Sequence, residues 1–206
     1  MCQKVSLNIF LEEGRSVGIY IVDMDFMHHI QGIVILNVAG ERAFAKYYIN
    51  PEMQTHGVLT TVEKQRTLEI AIHEAARDPK RSCNSFGDED IMLYGGHTIL
   101  FQVSDEVTFA VIGVAEENEL VLQSVLRGLI DSLRQELKSD DLSLRILLEK
   151  FDAIILTVDE MIDEGIILET DSSRVAEDVM PFVAESGSDM ALKALSKVNK
   201  YLKENL

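Results

Sequence analysis

The amino-acid sequence predicts an α+β domain in which helices flank a five-stranded antiparallel sheet, in the order β-β-α-β-β-β-α-α. Short runs rich in β-branched residues are joined by links too short for a parallel crossover, such as the two residues at 105–106. One amphipathic segment follows the first two strands, and two longer ones follow the last three. A chain of 206 residues fits one domain with extensions, and its 47% apolar residues can build a sizeable core.

Residues 1–27 are predicted to form an N-terminal extension, in which VGIYIVDMDF alternates well enough for a strand or an extended arm. The domain itself is expected to cover residues 28–175 and to open with a hairpin. A β-branched strand at 33–38 precedes a short turn at Gly40, and a second strand returns at 42–49.

A helix and three closely spaced strands follow. Thr60 or Thr61 is expected to cap the helix, which runs to about Arg77, where an Asp-Pro pair ends it. A polar loop then leads to the strands IMLYG, HTILFQVS and VTFAVIGVA. A tight turn with two glycines joins the first two of these strands, and the 105–106 link joins the last two.

Two apolar stripes predict the long helices. The first stripe comprises Leu122, Leu126, Leu129, Leu133 and Leu137, with Val125 and Ile130 beside them. The second comprises Leu144, Leu147 or Leu148, Phe151, Ile155, Val158 and Ile162. Gly165 is expected to end the second helix as a C′ glycine. Residues 176–206 are predicted to be a tail whose amphipathic helix is capped by Ser188 or Asp189.

The segment 151–171 is crowded with carboxylates, which raises the question of a metal or acid/base site. The acids of its predicted helix and following turn are Asp152, Asp159, Glu160, Asp163 and Glu164. Asp152, Asp159 and Asp163, at spacing i, i+7 and i+11, are expected to stack on one helical face. A metal cage needs ligands that converge from several elements, and hard cations take six or more oxygens. We therefore expect an acidic face that points to water.

The other reactive side chains form no recognisable constellation. The histidines are His28, His29, His56, His73 and His97, which lack metal-binding spacing and are expected to be scattered over the surface. Cys2 and Cys83 are predicted to be isolated free thiols in a reducing compartment. No phosphate-binding glycine loop or nucleophile elbow is present in the sequence. No catalytic, cofactor-binding or metal-binding residue is therefore predicted.

Charge limits the classes of partner. The chain has 35 acidic and 19 basic residues, a net charge of −16, which disfavours binding to nucleic acid or directly to anionic lipid. The one cationic stripe is Lys193, Lys197, Lys200 and Lys203. We expect it to be the solvated side of the last helix, with an acidic partner or membrane surface as the alternative.

Cellular location and assembly follow from further features of the chain. The N-terminus lacks the features of a signal peptide, and Cys2 stands where myristoylation requires glycine. We expect a cytoplasmic protein that reaches membranes through a partner. Two long helices cannot easily hide both sheet faces together with their own stripes. A small domain with such surplus apolar surface is typically a subunit of a larger assembly.

Three motifs resemble those of the zeta subunits of the COPI coatomer, over about residues 30–175, and more distantly the sigma chains of clathrin adaptors. They are GIVILNVAGERAFAKYY, FAVIGVAEENELVLQSVLRGLIDSL and LLEKFDAIILTVDEMIDEGIILETD. The resemblance implies a longin-type fold and a non-enzymatic protein without cofactor or small-molecule substrate. It also implies that Asp159, Glu160, Asp163 and Gly165 belong to a structural helix and its end.

The same resemblance implies the partners. A zeta subunit pairs obligately with the gamma coatomer subunit, joins the beta and delta subunits, and meets Arf GTPase and the Golgi membrane only through the complex. The coat carries cargo from the Golgi to the endoplasmic reticulum and within the Golgi. Alternatives are a sigma-type adaptor chain, another longin-domain trafficking protein or, from a different class, a carboxylate-metal hydrolase.

Overall fold

The computed structural model describes residues 8–10, 16–18, 30–48, 59–78, 89–104 and 106–186. Two short strands, β1 (Asn8–Phe10) and β2 (Ser16–Gly18), pair antiparallel with each other. The rest of the predicted N-terminal extension and the predicted helix capped by Ser188 or Asp189 lie outside the described residues.

A five-stranded antiparallel sheet forms the centre of the domain, as predicted. Its strands are β3 (Ile30–Asn37), β4 (Arg42–Tyr47), β5 (Glu89–Tyr94), β6 (His97–Ser104) and β7 (Val107–Val114). They lie in the spatial order β4-β3-β7-β6-β5, which places β4 and β5 at the two edges. Gly95 and Gly96, with φ of 58° and 83°, make the predicted two-residue turn between β5 and β6.

Helix α1 begins where the sequence predicts, and a side-chain cap opens both α1 and α2. Helix α1 (Val62–Ala76) is capped by the Thr61 hydroxyl, which accepts a hydrogen bond from the Lys64 amide at 3.3 Å. Helix α2 (Glu119–Leu137) is capped by Asn118, whose side chain accepts from the Leu120 amide at 2.9 Å. Of these two caps, the sequence predicts the one at Thr61, and the structure adds the one at Asn118.

Both faces of the sheet are covered, contrary to the expected surplus of sheet surface. Helix α1 covers one face over side chains that include Val34, Ile99 and Phe101. The other face, including Ile33 and Phe109, is covered by α2 and by the helices that follow it. Exposed apolar side chains therefore occur at the sheet edges and on the outer helix surfaces.

The second long helix is in fact two helices and a hairpin, which corrects the sequence prediction. Helix α3 (Leu144–Glu149) and helix α4 (Phe151–Met161) meet at Lys150, whose φ of −121° and ψ of 43° are not helical. Strands β8 (Ile162–Asp163) and β9 (Ile166–Ile167) follow.

Gly165 forms the turn of this small hairpin, with φ of 90°, and does not act as a helix C′ residue. Its carbonyl accepts a hydrogen bond from the Ile30 amide at 2.7 Å, which ties the hairpin to the start of the central sheet.

The buried face of α4 also differs from the predicted stripe. Val158 is buried as expected, but Phe151 and Ile155 remain 38% and 40% exposed. The residues of α4 that the fold buries are Ala153, Ile154, Thr157, Val158 and Met161. Helix α4 packs against α2 and a further helix at once, so its buried face is turned away from the predicted stripe.

That further helix is α5 (Ser172–Ser186), which the sequence reasoning missed. It packs on α2 and α4 and buries Val175, Val179 and Val183. The predicted boundary between domain and tail, at 175–176, falls inside this helix. The outer limits of the domain stay predictions.

Helix α1 is fixed to the edge of the sheet by a buried carboxylate. Glu69 is 1% exposed and accepts hydrogen bonds from Arg42 Nε at 2.8 Å and from the Tyr47 hydroxyl at 2.9 Å. Arg66, one turn earlier on α1, adds a contact at 3.2 Å. Burial raises the pKa of Tyr47, which keeps its hydroxyl protonated as the donor.

Candidate partner-binding surface

The acidic segment does not converge on a site. Asp152 and Asp159 lie on α4, whereas Asp163 lies in strand β8 because the helix ends at Met161. Asp159, Glu160, Asp163 and Glu164 are exposed. Among the described residues, no group of three or more His, Cys, Asp or Glu side chains is placed to hold a metal ion.

Asp159 instead makes an ion pair across elements. Its carboxylate contacts Lys46 Nζ of strand β4 at 2.5 Å, with side chains that are 53% and 37% exposed. Lys46 Nζ also lies 5.1 Å from the centre of the Tyr48 ring, in cation–π geometry. The Tyr48 hydroxyl donates to the Ile162 carbonyl at 3.4 Å, and burial raises the pKa of that hydroxyl. These contacts fix the end of β4 against the end of α4.

Apolar side chains continue this contact along α4. Phe151, Ile155 and Asp159 are spaced i, i+4 and i+8, so they form one row on the helix. Phe44 of β4 packs edge to face on Phe151, with ring centres 5.9 Å apart. Phe44 and Lys46 are two positions apart on their strand, so both point to the row.

We call the residues Phe44, Lys46, Phe151, Ile155 and Asp159 the β4–α4 surface. It combines the partly exposed Phe151 and Ile155, which lie against the buried Phe44, with an exposed ion pair at one end. In the described part of the chain, β4 pairs with β3 alone, so its outer edge is open beside this surface. An apolar centre with a charged rim is the composition found in protein–protein interfaces.

The opposite edge of the sheet carries a second apolar region. Ile91 and Leu93 of β5 are 43% and 75% exposed and point to the side of α2. Next to them, Glu89 is buried and is held by Arg127 and Gln123 of α2. The hydrogen bond from Arg127 lowers the pKa of Glu89, so this carboxylate stays ionised as a structural contact.

The two histidines within the described residues have structural roles. His97 is buried, which corrects the surface prediction, and its Nδ1 makes a hydrogen bond with the Gln31 side-chain oxygen. Burial lowers the pKa of His97, so its ring is held neutral. His73 is half-buried beside the turn at Gly40. A Cβ added at Gly40 would lie 2.7 Å from the His73 ring.

Several predicted candidates cannot be placed. The candidates that lie outside the described residues are the histidines His28, His29 and His56, the cysteines Cys2 and Cys83, and the lysines Lys193, Lys197, Lys200 and Lys203.

Sequence reasoning quoted Phe44 and Lys46 within the motif GIVILNVAGERAFAKYY but did not assign them to a surface. The signal available was the i, i+4, i+8 row on α4, but its partners are more than 100 residues earlier in the chain. Only the fold brings β4 and α4 together.

Comparison with known proteins shows the family to which the chain belongs. Residues 29–185 match the model of the clathrin adaptor complex small chain family. Coatomer subunit zeta-1 of Homo sapiens is 34% identical over 87% of this chain and 92% of its own length. Coatomer subunit zeta of Saccharomyces cerevisiae is 30% identical over 74% of this chain and 78% of its own length. The chain belongs to the adaptor small-chain family, among the coatomer zeta subunits.

A chain of a larger assembly has the same fold. A chain in a homology model of the full-length AP-3 complex superposes with a TM-score of 0.54 at 15% identity, over 84% of this chain and 98% of that chain. The longin-type α+β architecture expected from the family resemblance is thereby confirmed. Within the described part of the chain, no helix is long and apolar enough to cross a membrane.

Proposed function

We propose that the protein is the non-enzymatic zeta-type small subunit of a COPI vesicle coat and forms an obligate heterodimer with the gamma coatomer subunit. The heterodimer then joins the beta and delta subunits and is recruited to Golgi membranes and vesicles with Arf GTPase. Its work is Golgi-to-endoplasmic-reticulum and intra-Golgi transport. The observation that carries this proposal is the match to coatomer zeta subunits over most of both chains.

The β4–α4 surface is the part of the molecule that we assign to the gamma partner. Phe151 and Ile155 contribute apolar area that a partner can cover, and the Lys46–Asp159 pair supplies a polar rim. The open edge of β4 adds backbone donors and acceptors. Apolar side chains at the centre of an interface carry most of its binding energy, whereas exposed rim charges contribute little.

The test is co-expression with the trunk portion of the gamma subunit, followed by size-exclusion chromatography at low and high salt. We expect a one-to-one complex that persists in high salt, because salt screens charges but not apolar contacts. If the two folded chains elute separately, the proposed pairing is wrong.

A matched pair of variants locates the interface. Ile155→Asp changes the β4–α4 surface, and Ile70→Asp makes the same change on the outer side of α1, across the sheet, where Ile70 is 55% exposed. Loss of one well-packed isoleucine costs about 1–3 kcal/mol, so Ile155→Asp should weaken the complex about tenfold or more. Ile70→Asp should bind like the unchanged chain. Equal affinity for both variants would place the interface elsewhere, with the β5 edge as the next surface to test.

A further inference from the structure

A large open cleft lies on the side of the domain formed by α2, α3 and α5. It has a volume of about 780 Å³, and its apolar lining includes Leu137 of α2, Ile146 of α3 and Met180 of α5. The cleft is separate from the β4–α4 surface, because it shares none of that surface's residues. Apolar side chains from three helices thus form a hollow that a ligand can cover.

Most of the acidic charge in the lining of the cleft is not available to a ligand. Burial raises the pKa of Glu136 to about 7, so this carboxyl is largely protonated in weakly acidic solution. Glu149 pairs with Arg145, whose Nε lies 2.8 Å from the Glu149 carboxylate. The third acid of the lining is Glu177, which is exposed on α5.

Two lysines give the cleft a cationic side. Lys138 is the C-cap residue of α2, and Lys150 separates α3 from α4. In the part of the chain that the structure describes, neither lysine makes an ion pair with a carboxylate. With Glu136 protonated and Glu149 paired, these two cations are opposed by Glu177 alone among the acids of the lining. The cleft is therefore locally cationic in a chain with a net charge of −16.

The walls of the cleft favour a helix over an extended segment as the ligand. An extended peptide needs a strand edge to satisfy its backbone donors and acceptors, whereas a helix satisfies its own. The lining comes from α2, α3 and α5 and from Lys150 between two helices, and it includes no strand residue. An amphipathic helix can place its apolar side chains in such a groove and keep its backbone hydrogen bonds.

We propose that the α2–α3–α5 cleft binds an amphipathic helix of a partner protein whose polar side chains are acidic. Apolar side chains of that helix cover Leu137, Ile146 and Met180, and its carboxylates meet Lys138 and Lys150. The apolar contacts provide most of the affinity, and the lysines select the sign of the partner's charge. This site is independent of the pairing proposed at the β4–α4 surface.

Methyl NMR of the full-length chain at pH 6.5 tests the site with a synthetic peptide. The probe is an amphipathic peptide of about 16 residues, roughly 24 Å long as a helix, with leucines on one face and glutamates on the other. It should shift the methyl signals of Ile146 and Met180 saturably, with a Kd on the order of 100 µM, and leave that of Ile70 on α1 unchanged. The same peptide with lysines in place of glutamates should not shift the cleft signals, although the net charge of the chain attracts it.

Matched variants test the role of the lysines. Lys138→Glu combined with Lys150→Glu should weaken binding of the acidic peptide about fivefold or more. Lys64→Glu makes the same charge change at an exposed position of α1 and should bind like the unchanged chain. An unshifted Ile70 methyl signal in each variant shows that the fold is intact.

Three results would overturn the proposal. The first is the absence of saturable shifts at the cleft with the acidic peptide, and the second is equal or stronger binding of the lysine peptide there. The third is unchanged affinity for the acidic peptide in the variant with both lysines replaced. Dodecanoate serves as a further probe: shifts of the cleft signals with this fatty acid but not with the acidic peptide would make the cleft a small-molecule site and the proposal wrong.

Discussion

The buried carboxyl of Glu136 makes a specific prediction about pH. The Thr157 hydroxyl oxygen lies 3.0 and 2.8 Å from the two Glu136 oxygens and 2.7 Å from the Ala153 carbonyl. A hydroxyl has one proton, so it can donate either to the carbonyl or to the carboxyl. Both contacts become hydrogen bonds only when Glu136 is protonated and donates to Thr157.

Burial raises the pKa of Glu136 from 4.5 to about 7, and the hydrogen bond from Thr157 opposes part of that rise. The folded chain therefore retains a proton that the unfolded chain loses between pH 4.5 and 7. The resulting stabilisation is fully present below pH 4.5 and is lost as the pH rises through about 7.

The expected magnitude follows from the shift. Each pKa unit corresponds to 1.36 kcal/mol, so the full shift would be worth about 3 kcal/mol. Glu136 borders the open cleft, and water there screens its charge. We therefore expect about 1–2 kcal/mol of stability to be lost between pH 5 and 8 because of this one group.

Glu136→Gln removes the ionisation and retains the shape of the side chain. The variant should be about 1–2 kcal/mol more stable than the unchanged chain at pH 8, and should lack this component of the pH dependence. Glu177→Gln is the matched control, because it removes one charge from an exposed position of the same cleft. Urea unfolding followed by circular dichroism at pH 5, 6, 7 and 8 measures the effect. The same slope against pH in Glu136→Gln and in the unchanged chain would refute the reasoning.

Further predictions concern the turn, the buried carboxylate and the surface ion pair. Gly165→Ala should destabilise the fold by about 2–4 kcal/mol in urea unfolding, because φ is 90° and the new Cβ would lie 2.7 Å from the Ile30 carbonyl oxygen. Gly96→Ala, at a φ of 83° with open space around it, should cost only about 1 kcal/mol, and equal losses would exclude the clash as a cause. Glu69→Ala should cost about 3–5 kcal/mol, since it leaves the Arg42 charge without its buried partner. Lys46→Met should change stability by less than about 1 kcal/mol, because its ion pair is exposed; a larger loss would show that the pair is structural.

The sequence predicts those parts of the fold that are determined locally. The cap at Thr61 is a hydrogen bond to an amide three residues away, and the turn at Gly95 and Gly96 is likewise contained in its own residues. The pairings β3–β4, β5–β6 and β6–β7 follow because strands joined by short links are antiparallel neighbours, whereas no link determines the β3–β7 pairing that unites the sheet.

Features that depend on distant contacts could not be predicted in this way. Helix α5 has apolar residues at Val175, Val179 and Val183, but Pro181 interrupts the pattern and burial against α2 and α4 sustains the helix. Helix α4 has apolar residues on more than one side, so the position of its neighbours decides that Ile155 remains exposed. The β4–α4 surface could not be predicted for the same reason, since β4 and α4 meet only in the folded chain.

The arrangement of the central strands has a consequence for synthesis of the protein. Asn37 at the end of β3 pairs with Val107 at the start of β7, and these residues are 70 positions apart. At translation rates of about 5–20 residues per second, β7 emerges on the order of 4–14 s after β3. Until then β3 has only the hairpin with β4, and an isolated hairpin is marginally stable in water. The nascent chain thus presents an uncovered apolar strand for several seconds, an interval in which chaperone binding competes with aggregation.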